Sequence, residues 1–296
     1  MSYFVAPIYM IASVIMLATY YPCKHAAWLF ASPILVSALL PPIRSAFLYR
    51  SLRPMLEYFD YEQIEETSPQ NARQNIANGK NYLLVYQPHG SLSFAGICSW
   101  LVCPHEYRQY MSTAVADALL WTPILKHVMG IFGLVSASKS SMKKTLKKPG
   151  VAGTVILYVG GMAELFLSCE NEEKLYLKKR KGFIKLALQE GVDIVPIYLF
   201  GNTTVLSVMK SGLLATISRK LQVSLTYIWG KWNLPIPRPC KLLYVSGQPL
   251  GMPHIPHPTQ EDIDKWHAKY CSEVARLYES YKEKVPEYKH KKLEIV

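Results

Sequence analysis

Two apolar runs open the chain. Residues 1 to 23 carry no charged side chain, and the run from Tyr3 to Tyr21 approaches the ~20 apolar residues that cross a bilayer. A polar break at Pro22, Cys23, Lys24 and His25 leads into a second run, Ala26 to Leu40, which stops at Pro41 and Pro42. Arg44, Arg50 and Arg53 follow. The pattern predicts a membrane hairpin, its second arm near the minimum for a span, with the arginines holding residues 44 onward in the cytosol. Two other readings stay open: the first run spans while the second lies embedded, or both are buried helices of a soluble core. A cleaved secretory signal is not expected, because neither a positive first region nor a small-residue cleavage site is present. The domain boundary therefore falls between a hairpin over 1–43 and a globular domain over 44–296.

Beyond residue 44 short apolar runs alternate with helical patterns. Strands are predicted over 82–86, 111–115, 155–159, 193–200 and 241–245, most of them stopped by Gly or Pro, as in strands buried on both faces. A helix is predicted over Lys139–Lys147 behind Ser138, and another over Gly182–Gln189 before Gly191. A last helix starts at Thr259 with Asp262 three residues on, and Ile263, Trp266, Tyr270, Val274, Leu277 and Tyr281 form its apolar stripe. Strands alternating with helices indicate an α/β domain with a mostly parallel sheet flanked by helices. The stretch 203–221 reads equally as a buried helix or as an amphipathic one on a bilayer. Trp229 to Pro239 reads as an interfacial loop or as a packed surface loop.

Composition narrows the partners. With 296 residues, 50% hydrophobic, the chain can bury a sizeable core. Six scattered cysteines without a C-x-x-C pair suit reduced thiols and give no zinc motif. The net charge of +12 asks for an anionic partner: nucleic acid, anionic lipid or a phosphorylated co-substrate. Lys139, Lys143, Lys144, Lys147 and Lys148 form one basic cluster, and Lys174, Lys178, Lys179, Arg180 and Lys181 another. Neither interleaves a series of aromatics for base stacking (Tyr176 alone falls within the second), which disfavours nucleic acid. The second runs into a helix start at Gly182–Phe183, where free N–H groups suit phosphate.

His89 directly follows a predicted strand, in Gln87-Pro88-His89-Gly90, and ligands of α/β sheets collect at that end. An imidazole there suits a general base, with a hydrogen-bonded structural histidine as the alternative. Glu164, in Val159-Gly160-Gly161-Met162-Ala163-Glu164, again follows a strand and reads either as a partner orienting that histidine or as a helix-start carboxylate. His254 and His257 lie among prolines and form no metal site, so no metal is expected. Phosphate-loop, nucleophile-elbow and dinucleotide motifs are missing.

Five segments in order, Gln87–Gly90, Val159–Glu164, Arg180–Leu188, Val195–Gly201 and Pro258–Asp264, resemble the diacylglycerol O-acyltransferase type 2 family, which includes monoacylglycerol acyltransferases and wax synthases. The resemblance covers roughly residues 45 to 285 and also fits the apolar hairpin. It implies a membrane-anchored, glycerolipid-acyltransferase-like α/β fold. It implies transfer from acyl-CoA, as co-substrate and without a further cofactor, to diacylglycerol. Monoacylglycerol or a fatty alcohol is the alternative acceptor, and a non-catalytic lipid-binding scaffold the alternative of another class.

By the same resemblance His89 is the base and Glu164 holds its imidazole. Gln87, Pro88, Gly90, Gly160, Gly161 and Asn202 line the substrate site, and Arg180, Lys181, Gly182 and Phe183 contact acyl-CoA. Relatives often have His or Glu at position 87 and Glu at position 202, so an acidic role at Asn202 is in doubt. The His-x4-Asp pattern of other glycerolipid acyltransferases is missing, since Phe94 stands at the fifth residue after His89. The implied location is the endoplasmic reticulum membrane, multi-pass, with the catalytic domain facing the cytosol and lipid droplets as a second site. Membrane lipids are partners, and a homo-oligomer stays open.

Overall fold

The computed structural model describes residues 2–19, 24–68, 70–71, 74–75, 78–161, 164, 167, 172–209 and 227–296. Its centre is a seven-stranded sheet in the order β1-β10-β7-β2-β5-β3-β4. The strands are β1 (Tyr61–Glu65), β2 (Tyr82–Gln87), β3 (Ser112–Val115), β4 (Leu134–Ser136), β5 (Val155–Tyr158), β7 (Asp193–Phe200) and β10 (Leu242–Ser246). β2 pairs in parallel with β5 and β7, and β3 with β4 and β5. β10 runs antiparallel to β7 and parallel to β1. The expected mostly parallel α/β sheet is thus present, with a reversed pair at one edge.

Side-chain alternation along the strands feeds two cores. Leu83 and Val85 of β2 point into one, with Phe183, Tyr198, Tyr270 and Leu277. Tyr82 and Tyr86 point into the other, with Phe59, Phe94, Trp100 and Tyr244. The helices Lys139–Leu146, Gly182–Glu190 and Gln260–Tyr281 contribute to the first core, and Phe94–Val102 to the second. The last helix starts as its sequence requires: Thr259 accepts from Asp262 N–H while Asp262 accepts from Thr259 N–H. Small two-stranded sheets flank the main one: β6 (Glu173–Leu175) with β11 (Leu293–Ile295), and β8 (Ser207–Val208) with β9 (Ile228–Trp229).

The apolar runs of the N-terminus form two helices, α1 (Ser2–Thr19) and α2 (Lys24–Leu39), in contact through Tyr9 and Phe30, ring centroids 4.9 Å apart. Both were expected to cross the bilayer. Among the described residues, however, no helix is long and apolar enough to cross a membrane. At 1.5 Å per residue the 16 residues of α2, interrupted by Pro33, extend about 24 Å, short of the ~30 Å hydrocarbon layer. The end of α2 is tied to the body, where Lys126 Nζ donates to Ala38 O at 3.0 Å and His127 Nε2 lies 3.1 Å from Ser37 O. The helical reading of 203–221 falls largely outside the described residues; 203–206 form a turn leading into β8.

Candidate active site

His89 stands where β2 leaves the sheet, after a cis Gln87–Pro88 peptide. Gly90 turns the chain with φ +64, and a Cβ there would meet Asn202 O at 2.6 Å, so both the angle and the approach call for glycine. Asn202 is fully buried behind this turn. Its Nδ2 donates to Pro88 O at 3.0 Å and to Ser93 Oγ at 3.2 Å, while its Oδ1 accepts from Ala95 N–H at 2.9 Å. Asn202 was expected among the substrate contacts; here its whole amide is spent on holding the two flanks of His89.

The structure brings His89 and Glu164 together, but not ring to carboxylate. Glu164 Oε2 accepts from the backbone N–H of His89 at 2.8 Å. Gly160 makes the approach possible, since a Cβ there would overlap the Glu164 carboxylate. The imidazole is oriented by its neighbour instead: Nδ1 lies 2.9 Å from Gly90 O. A carbonyl only accepts, so this contact places the proton on Nδ1 and leaves the Nε2 lone pair available. The Tyr158 ring, its centroid 4.9 Å away and its plane at 76° to the imidazole, packs edge-on against it. Burial lowers the His89 pKa below its usual value, favouring the neutral base. Burial also pushes the Glu164 carboxyl up to about 7, against the hydrogen bond from His89 N–H.

The other expected residues divide. Gln87 is buried at the strand end, opposite Tyr198 in the ladder. Gly161 has φ +56, and among the described residues nothing lies within 4 Å of where a Cβ would stand. Lys181 is paired with Asp264 at 2.7 Å. Phe183 packs against Tyr270, ring centroids 5.0 Å apart. Arg180 and Gly182 line a cavity of about 380 Å³ with Lys139, Lys179, Val159 and Phe183. The basic clusters, far apart in sequence, thus meet here, at the start of two helices whose N-cap side chains accept no hydrogen bond from the first-turn N–H groups. Both N-termini add positive potential to that of the cations. Met162 and Ala163 lie outside the described residues.

Sequence reasoning missed Tyr158 and Ser93, which look like ordinary strand and loop residues. It also missed Glu173, a fully buried carboxylate that accepts from Tyr198 OH at 3.2 Å and Thr203 Oγ1 at 2.9 Å. Its partners lie 25 and 30 residues away, so no local pattern marks it.

A family model described as diacylglycerol acyltransferase matches residues 56–296. The chain is 28% identical over 260 residues to 2-acylglycerol O-acyltransferase 3 of Homo sapiens, covering 81% of this chain and 73% of that protein. It is 29% identical over 231 residues to diacylglycerol O-acyltransferase 2 of Homo sapiens, covering 71% and 59%. It is 29% identical over 243 residues to acyl-CoA wax alcohol acyltransferase 2 of Homo sapiens, covering 75% and 72%. The match to the second of these spans about three fifths of that protein's length. With the family model extending over most of the sheet domain, the chain belongs to the diacylglycerol acyltransferase family.

Proposed function

We propose that this acyltransferase moves a fatty acyl group from acyl-CoA to the free hydroxyl of diacylglycerol. One observation carries the reading: a neutral imidazole with Nδ1 tied to Gly90 O and Nε2 open, standing at the sheet rim next to Glu164 and the Gly160 turn. Nε2 takes the hydroxyl proton as the alcohol oxygen attacks the thioester carbonyl. The tetrahedral intermediate collapses, the C–S bond breaks, and the proton passes from the imidazolium to the departing thiolate, giving ester and free CoA. The Gly90 and Gly161 N–H groups donate no hydrogen bond among the described residues, which suits them to the oxyanion. Glu164 anchors the His89 backbone. Lys139, Lys179 and Arg180 hold the CoA phosphates in the cationic cavity.

The α1–α2 hairpin exposes Leu29 at 74% and Leu39 at 87%, which supports embedding in a lipid layer. We place the chain at the endoplasmic reticulum membrane and on lipid droplets, with the sheet domain on the cytosolic side; fractionation of tagged protein tests this. The acceptor is tested by giving the purified protein labelled acyl-CoA with diacylglycerol, monoacylglycerol or a fatty alcohol and separating the products. Label in triacylglycerol supports the assignment. Label only in diacylglycerol or wax ester moves the acceptor, and no ester from any of the three removes the reading.

A further inference from the structure

The segment between β9 and β10 carries side chains that the acyl-transfer chemistry does not use. Trp232 is 73% exposed, and Leu234 beside it is exposed as well. Trp232 and Asn233 both hold the left-handed conformation, φ 56 and 55, which residues with side chains rarely adopt. Four hydrogen bonds keep them there. Gly230 N–H donates to Leu234 O at 2.7 Å, Lys231 N–H to Ile236 O at 2.7 Å and Leu234 N–H to Lys231 O at 3.1 Å. Tyr227 OH donates to Asn233 O at 2.6 Å. The exposure of Trp232 is therefore built into a braced loop rather than left by a slack one.

The chemistry of the tip is specific. The Lys231 ammonium lies 4.5 Å from the centroid of the Trp232 ring. Tyr227 and Trp229 stack behind it, centroids 5.6 Å apart. Indole and phenol rings with polar tips favour the boundary between headgroups and acyl chains, and a lysine beside them meets headgroup phosphate. A second copy of this chain fits less well, because the chain carries a net charge of +12 and would bring like charge to the lysine.

Position adds a second argument. β10 runs against β7, so the loop that feeds it lies at the carboxyl end of β2, the end that carries His89. β10 is two strands from β2 in the sheet, about 10 Å. Arg238 ties the loop to the turn after Asn202, its N–H donating to Val205 O at 3.0 Å and its Nη1 to Thr204 O at 3.3 Å.

We propose that the 227–238 loop is a lipid-surface anchor, separate from the N-terminal hairpin: Trp232 and Leu234 enter the headgroup layer, and Lys231 meets anionic headgroups. The docking stands on this geometry alone. Its consequence, that the His89 rim is seated on the layer supplying the acceptor, rests on the acyl-transfer reading.

The test uses the full chain in phosphatidylcholine vesicles containing phosphatidylserine, with and without bromine on the acyl chains. Subtracting the emission of Trp232→Phe from that of the wild type isolates Trp232. The anchor predicts a blue-shifted difference spectrum that loses most of its intensity with brominated lipid. A difference spectrum typical of indole in water and indifferent to bromine overturns it. So does a shift from oligomer to monomer in Trp232→Glu by sedimentation without bromine quenching, which would give the surface to a second copy. As a further arm, Trp232→Glu should lower turnover roughly tenfold with a vesicle-borne acceptor while sparing a short-chain soluble acceptor. Equal loss with both acceptors contradicts the anchor. Quenching needs no turnover, so failure of the acyl-transfer reading and failure of the anchor give different results.

Discussion

Asn202→Ala separates a residue that positions the base from one that touches substrate. The substitution deletes three hydrogen bonds at once, to Pro88 O, Ser93 Oγ and Ala95 N–H. It leaves the Ala95 N–H and the Pro88 carbonyl without that partner in a buried site, at about 1–3 kcal/mol each, so about 2–6 kcal/mol of stability is at stake. For a chain of this size that lowers Tm by about 2 °C per kcal/mol, or about 4–12 °C. The catalytic effect comes from the two released flanks of His89. A base displaced on the order of 1 Å loses about 10²-fold in rate. Turnover with acyl-CoA and acceptor, run at 10 °C or more below the variant's own Tm, should therefore show kcat down by about that factor. The KM for acyl-CoA should change by less than about threefold, because no CoA contact is removed. A normal kcat with a raised KM would refute the positioning argument and return Asn202 to the substrate contacts.

Other outcomes follow from the same geometry. The lowered His89 pKa means that kcat/KM should be level through neutral pH and fall only below about 6.5, the ordinary histidine value; an acid limb centred above 7 would contradict it. Glu164 and Glu173 have carboxyls raised to about 7, so the stability they contribute is complete below their ordinary value near 4.5 and is lost as pH rises through about 7. Tm measured by scanning fluorimetry should decline from about pH 4.5 to 7 and level off above that, and Glu164→Gln should shrink the decline. Gly160→Ala puts a methyl group on the Glu164 carboxylate and should cost about 1–3 kcal/mol together with a fall in kcat, read by urea unfolding and turnover. Removing Lys139 or Arg180 should raise the KM for acyl-CoA roughly tenfold with kcat nearly unchanged; an unchanged KM would move the CoA phosphates elsewhere.

The sheet was legible where its strands are continuous apolar runs, as in β7, whose bounds Asp193–Phe200 match the expectation. β1 was not, because Tyr61-Glu62-Gln63-Ile64-Glu65 is an edge strand paired on one side only, with Gln63 and Glu65 exposed. Three-residue strands such as β4 and β6 are too short for any periodicity to show. At the site, the strand-end positions of His89 and the glycines drew attention to the turn where the structure brings His89 and Glu164 together. The contacts did not follow from it. Sequence supplied a carboxylate near an imidazole, while folding delivered that carboxylate to the histidine's backbone N–H and gave the ring to Gly90 O and Tyr158. Such choices depend on turn geometry at the level of single ångströms, which residue types alone do not encode. The cavity where Lys139 meets Arg180 depends on strand order in the same way.

Turnover of purified His89→Ala tests the account most directly, with folding verified by an unchanged circular dichroism spectrum and acyl-CoA binding measured alongside. The account predicts acyl transfer reduced by about 10²-fold or more with acyl-CoA still bound. A folded variant that transfers acyl groups at near-normal rate would show that another group takes the hydroxyl proton.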